Sequence, residues 1–72
     1  MINPMVRRRF FHFYNMGAYD GETETRVMCN FFSRDENDKL HVGQSQIMLA
    51  SEWPTYRDII ERSGWKHDAA PL

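Results

Sequence analysis

Apolar and polar side chains alternate along two stretches near the start of the chain, and this pattern predicts two β-strands. The first stretch, residues 6–16, is dense in aromatic residues, and the second, residues 23–32, is rich in Thr, Val, Cys and Phe. Between them lies a short segment, 17–21, whose Asp20-Gly21 step is typical of a turn. The two stretches and their connection predict an antiparallel hairpin.

The second strand indicates which side of the hairpin is buried. Val27, Cys29 and Phe31 share one face, and this face alone is wholly apolar. We expect Phe13 to pair with Val27, and Phe11 to pair with Cys29, so that both phenylalanines join the core. A slip of one residue would bury charged side chains at a large free-energy cost. The outer face then carries Arg8, Phe10, His12, Tyr14, Arg26, Met28 and Asn30.

A third, weaker strand is predicted over residues 40–49, after a polar connector at 33–39. Its apolar residues change phase, because Leu40 and Val42 share one parity while Ile47 and Leu49 share the other. Gly43 lies between the two pairs and is a candidate for a bulge or bend that switches faces.

A helix is predicted to follow. Thr55 and Asp58 have the spacing of a capping box, and Pro54 precedes them. Ser51 is an alternative cap, because proline is tolerated in a first helical turn. Gly64 is expected to end the helix. The expected buried stripe consists of Tyr56, Ile59, Ile60 and Ser63, and Trp53 and Trp65 are expected to clamp the helix onto the sheet.

These elements predict an α+β fold, a three-stranded antiparallel β-meander with one C-terminal helix packed on one face. We expect a single small domain over residues 1–72, with a loose leader at 1–5 and a frayed tail at 66–72. The lone cysteine, Cys29, excludes an internal disulfide and favours a reducing cytoplasm. No signal peptide is evident, and no apolar run reaches the roughly 18 residues of a membrane span. We therefore expect a cytoplasmic protein with no membrane partner.

No catalytic, metal or cofactor motif is evident. Cys29 and the three histidines, His12, His41 and His67, lack the spacing of metal ligands. Cys29 is expected in the core, where a thiol is a poor nucleophile. We therefore expect a protein that is not an enzyme and has no metal or cofactor.

The outer sheet face is the candidate binding surface, because one short helix can cover only one side of the sheet. A large uncovered apolar surface is typical of an interface, and Arg and aromatic residues are enriched at binding hot spots. A second candidate surface is the acidic group Asp20, Glu22 and Glu24, which would imitate phosphates. The candidate contact residues are Arg7, Arg8, Phe10, His12, Tyr14, Arg26 and Met28.

Three kinds of partner remain open for the outer face. A foreign protein is the leading interpretation. A nucleic acid would use the same arginines and aromatic rings, although the formal net charge of −1 would give little attraction to phosphate. A homodimer, joined face to face or through an edge strand, is the third alternative.

The layout of the chain resembles a broad group of small proteins encoded by phages and prophages. An aromatic strand, a Gly-containing turn and further strands lead to the step Trp53-Pro54-Thr55, followed by Arg57-Asp58-Ile59-Ile60-Glu61. This resemblance implies an inhibitor or modulator that acts by steric occlusion of a bacterial host or defence complex, as anti-CRISPR and other anti-defence proteins do. It implies the host cytoplasm as the location and supplies no catalytic residues.

Overall fold

A four-stranded sheet with one helix on one side forms the described part of the chain, residues 8–68 of a computed structural model. In chain order the elements are β1 (Arg8–Ala18), β2 (Thr25–Arg34), β3 (Leu40–Leu49), α1 (Trp53–Arg62) and β4 (Lys66–His67). The sheet order is β3-β2-β1-β4, with β4 parallel to β1 and the other pairs antiparallel. The predicted α+β class is confirmed. The predictions of three strands and a purely antiparallel sheet are wrong.

The additional strand, β4, lies in a segment that was expected to fray. After α1 the chain turns back along β1, where Lys66 pairs with Phe10 and His67 with Phe11. The N–H of Asp68 donates to the Phe11 carbonyl at 2.9 Å. A strand of two residues is too short to produce a periodic pattern, so no sequence pattern predicts it. The predicted leader, 1–5, and residues 69–72 lie outside the described residues.

The hairpin of β1 and β2 has the predicted faces but a different pairing. Phe11 lies opposite Phe31 and Phe13 opposite Cys29, two residues from the expected register. A shift of two residues preserves the alternation, so the same side chains face the core. The difference arises because β1 continues to Ala18 through a bulge after Asn15, which moves the connection to residues 19–24.

A bulge in β3 confirms the interpretation of Gly43. Opposite Phe31, β3 contains one residue more than β2. A Cβ on Gly43 would lie only 3.2 Å from the Phe31 carbonyl oxygen, so a residue without a side chain permits this approach. Because one extra residue reverses the alternation, both halves of β3 direct their apolar residues to the side away from α1. These residues are Leu40, Val42, Ile47 and Leu49.

The helix begins earlier than predicted. Its N-cap is Glu52, which makes no capping hydrogen bond through its side chain, and Pro54 lies in the first turn. Thr55 and Ser51 are therefore both wrong as caps. Glu52 Oε1 instead accepts a hydrogen bond from the Leu49 N–H at 2.9 Å.

Burial of Trp53 accounts for the early start of α1. Its ring lies 4.6 Å from the ring of Phe13, measured between centroids, and 6.1 Å from that of Phe11. Trp65 packs edge-on against Phe31 at 4.9 Å on the other side of the helix. The two tryptophans therefore clamp α1 onto the sheet, as predicted.

The buried stripe of α1 differs in part from the expected one. Ile60 is buried and Tyr56 is partly buried, whereas Ile59 is 55% exposed and Ser63 is exposed. Trp53, Tyr56 and Ile60 form the actual contact face, which begins one turn earlier because the helix itself does.

Gly64 ends the helix as predicted. Its φ of 97° is left-handed, and its N–H donates to the Glu61 carbonyl at 3.1 Å. The Trp65 N–H donates to the Ile60 carbonyl at 3.0 Å. This pair of hydrogen bonds is the Schellman arrangement, and it directs Trp65 back towards the core.

Candidate binding surface

The side of the sheet away from α1, which we call the open face, carries a broad mixture of aromatic, aliphatic and arginine side chains. Within residues 8–68, no helix packs on this side. Strand pairing arranges the side chains of the open face in rows that run across β1, β2 and β3. The apolar members are Phe10, Tyr14, Met28, Phe32, Leu40, Val42, Ile47 and Leu49.

Several of these apolar side chains are unusually exposed. Val42 is 72% exposed, and Tyr14 and Ile47 are each 44% exposed. The Phe10 ring stacks on Phe32 at 5.9 Å between centroids, with 19° between the ring planes. The open face therefore presents two apolar rows that are separated by one polar row. The apolar rows are Phe10, Phe32 and Val42, and Tyr14, Met28 and Ile47, and the polar row between them is His12, Asn30 and Ser45.

The open face contains most of the predicted contact residues. Arg8, Phe10, His12, Tyr14, Arg26 and Met28 all lie on it, whereas Arg7 is outside the described residues. The rings of His12 and Tyr14 lie 6.0 Å apart, and the Tyr14 hydroxyl donates to Met28 Sδ at 3.2 Å. The alternation of β1 and of β2, together with their pairing, therefore places these residues on one face.

Arg26 is held within the chain by Glu22. Its Nε donates to Glu22 Oε1 at 2.9 Å, and its Nη2 donates to Glu22 Oε2 at 2.7 Å. This bidentate pair lowers the pKa of the Glu22 carboxyl below its usual value. The Arg26 guanidinium also lies over the Tyr19 ring, 4.5 Å from its centroid. Arg26 is thus fixed in place with its charge compensated.

Asp38 contacts the two arginines at the opposite end of the sheet. Arg8 forms an ion pair with its carboxylate, and Arg34 Nη1 donates to its backbone carbonyl at 2.8 Å. Asp38 has a φ of 63°, which is uncommon for a residue other than glycine. Its left-handed conformation brings both its carboxylate and its carbonyl within reach of these two cations.

The acidic group proposed as a second surface is divided by the fold. Glu22 pairs with Arg26, and Glu24 Oε2 accepts a hydrogen bond from the Ser51 N–H at 2.7 Å, which lowers the pKa of Glu24. Asp20 is exposed in the turn. Two of the three carboxylates therefore support the local structure, and the group does not form a row of free charges.

Sequence reasoning placed Arg26 and Met28 of β2 on the open face but missed Phe32 and the β3 part of it. Phe32 has the same parity as Met28, so its position was readable from the alternation of β2. Leu40 and Val42 could be placed only by knowing that the extra residue at Gly43 reverses their direction. The missing signal was thus the geometry of the bulge.

Cys29 and two of the three histidines, His41 and His67, lie on the other side of the sheet. Cys29 is completely buried, and burial raises the pKa of its thiol to about 11. His67 packs its ring against Phe11 at 5.4 Å. His41 Nε2 lies 2.9 Å from Asp35 Oδ2 in the β2–β3 connection. Within residues 8–68, no group of three or more His, Cys, Asp or Glu side chains could hold a metal ion.

Comparison with known proteins returned no relative for this chain. No protein-family model, curated protein or solved structure matches it. No helix in the described segment is long and apolar enough to cross a membrane. The chemistry of the open face is therefore what points to a function.

Proposed function

We propose that this chain is a small protein-binding module that docks on its partner through the open face. The observation that supports this most directly is the exposure of Tyr14, Val42 and Ile47 on the one sheet face that α1 does not cover. Exposed apolar surface combined with aromatic and arginine side chains is typical of protein interfaces. The sheet presents this surface already formed, which lowers the entropy lost on binding.

A protein partner fits this surface better than a nucleic acid does. Phosphate recognition needs cations that are free to replace counterions. Arg8 and Arg26 are each paired with a carboxylate of the same chain, and the formal net charge is −1. The aromatic rings remain available for apolar contact, which a protein surface supplies.

The mode of action that we propose is occlusion of a bacterial host or defence complex. The resemblance to small phage-encoded proteins supports this choice of partner. Occlusion needs only a rigid surface and no chemistry, and the open face meets that need. Cys29, the one thiol of the chain, lies buried on the other side of the sheet.

The proposal can be tested by comparing variants in capture experiments from bacterial lysate. Tyr14→Ser and Val42→Ser, alone and together, remove apolar area from the open face. Ile59→Ser is the matched control, because Ile59 is 55% exposed but lies on α1. We expect a protein that is retained by the parent chain and by Ile59→Ser to be lost from the double variant.

The same variants need a check of folding and of nucleic-acid binding. Thermal unfolding should be nearly unchanged, since all three substituted side chains are exposed. Equal capture by the double variant and the parent would refute the proposal. A mobility shift with generic DNA or RNA that weakens steeply as salt rises would instead favour the nucleic-acid alternative.

A further inference from the structure

We propose that two copies of this chain pair through the outer edge of β3, antiparallel, so that two four-stranded sheets become one continuous sheet. β3 is an edge strand of ten residues, and its sequence contains no Asp, Glu, Lys, Arg or Pro. Natural edge strands usually carry such residues to prevent pairing with another chain. The other edge is less suitable, because β4 covers part of β1 and a bulge follows Asn15.

The backbone of β3 offers unused hydrogen-bonding groups along this edge. The Ala50 N–H donates to the Thr25 carbonyl at 2.9 Å, so the backbone groups at alternate positions, including Met48, face β2. The N–H and C=O groups of Ser45 and Ile47 consequently point away from the sheet. The Leu49 N–H is already taken by Glu52 Oε1, which limits the free stretch at that end.

A two-fold axis beside Gln46 would pair these groups completely. Ser45 of one copy would lie opposite Ile47 of the other, and each residue would donate and accept one backbone hydrogen bond. Neither residue is charged, so no like charges meet across the axis. This self-complementarity favours a second copy of the chain over a foreign strand.

Exposed apolar side chains near the outer edge of β3 also indicate that this edge is an interface. Five large apolar side chains are exposed in the described part of the chain, and three of them, Val42, Ile47 and Ile59, lie on β3 or α1. An open groove of about 470 Å³ runs between these two elements and is lined in part by Met48 and Ile59. Pairing about a two-fold axis normal to the sheet would keep both helices on one side and bring the two grooves to the junction.

This inference goes beyond the proposed docking function, although the exposure of Val42 and Ile47 enters both arguments. Pairing at the edge leaves Tyr14 and the β1 part of the open face uncovered. A pair of copies would present two such surfaces on one sheet and could bind a repeated target with higher avidity.

Sedimentation velocity over a concentration series tests the pairing directly. The parent chain is expected to show a reversible equilibrium between monomer and dimer. Ile47→Pro removes only an outward N–H, so the bonds between β2 and β3 are retained, and we expect dimerisation to weaken roughly 10- to 100-fold. Tyr14→Ser is the control, and its dimerisation should equal that of the parent.

A second variant is needed if circular dichroism shows that Ile47→Pro does not fold. Gln46→Lys leaves the backbone intact but places two lysines beside the axis, so its dimer should be weaker than that of the parent and should recover with added salt. A parent chain that stays monomeric at every concentration would overturn the proposal. So would a dimer that persists unchanged in the folded edge variants, or one that is lost in Tyr14→Ser.

Discussion

The guanidinium of Arg9 lies over the indole ring of Trp65, 5.0 Å from its centroid, and thereby joins β1 to the end of α1. Its Nη2 also donates to the Ser63 carbonyl at 2.6 Å. A cation at this position compensates both an unpaired carbonyl and the negative end of the helix dipole. Arg9 therefore stabilises the fold, whereas its neighbour Arg8 lies on the open face.

Substitution of Gly64 should reveal the contribution of this contact. A Cβ at Gly64 would lie 2.9 Å from Arg9 Nη2, and the φ of 97° is unfavourable for any residue with a side chain. We expect Gly64→Ala to lower the free energy of unfolding by about 2–3 kcal/mol, partly from the backbone and partly from displacement of Arg9. Urea denaturation measures this loss.

Gly21→Ala is the matched control for that experiment. Gly21 has a φ of 80°, but no atom lies within 4 Å of the position of its Cβ. We therefore expect Gly21→Ala to lower the free energy of unfolding only by the backbone contribution, about 1–2 kcal/mol. Equal losses in the two variants would show that the position of Arg9 is unimportant for stability.

The Cys29 thiol should be protected in the folded chain. Burial raises its pKa from 9.0 to about 11, so the thiolate fraction at pH 8 falls roughly 100-fold relative to an unfolded chain. A colorimetric thiol reagent should therefore react at least about 100-fold more slowly in buffer than in denaturant. Similar rates in the two solutions would show that Cys29 is accessible and that the assignment of the core face is wrong.

Acid should destabilise the chain through Asp35. Its carboxylate lies 2.9 Å from His41 Nε2 and accepts hydrogen bonds from the N–H groups of Lys39 and Asn37. These contacts, led by that of His41, lower the pKa of Asp35 from 3.8 to about 2. Because the folded-state pKa is the lower one, the unfolded chain takes up the proton first. The stabilisation is present above about pH 4 and is lost as pH falls towards 2.

Asp35→Asn should flatten the dependence of stability on pH between about 4 and 2, as measured by urea denaturation at several pH values. Glu36→Gln is the control, because Glu36 is an exposed carboxyl in the same connection that accepts none of these three hydrogen bonds. If the slope of Asp35→Asn equals that of the parent, another group is responsible for acid destabilisation.

The sequence predicted the core face because alternation depends only on local order. Val27, Cys29 and Phe31 could be assigned to one side before the pairing partner of any residue was known. The exact pairing could not be predicted, because it depends on the bulge after Asn15 and on the length of the connection that follows. A displacement of two residues leaves every side chain on its predicted face, so the alternation cannot distinguish the observed register from the predicted one.

The candidate site was predicted in part for a related reason. Phe10, His12 and Tyr14 follow from the alternation of β1 and lie on the open face as expected. Arg8 and Arg9 are adjacent in the sequence but lie on opposite faces of the sheet. The acids that compensate Arg8 and Arg26 could not be identified from the sequence, because their positions depend on the folded connections.

The ion pairs of Arg8 and Arg26 with acids of the same chain have a kinetic consequence for any complex that forms on the open face. Compensated charges create little field at a distance, so diffusing partners would meet the chain without electrostatic guidance. Encounter rates should therefore stay near the unsteered range of about 10⁵–10⁶ M⁻¹s⁻¹. A tight complex would then require a low dissociation rate constant, which depends on how long the apolar contacts persist once they have formed.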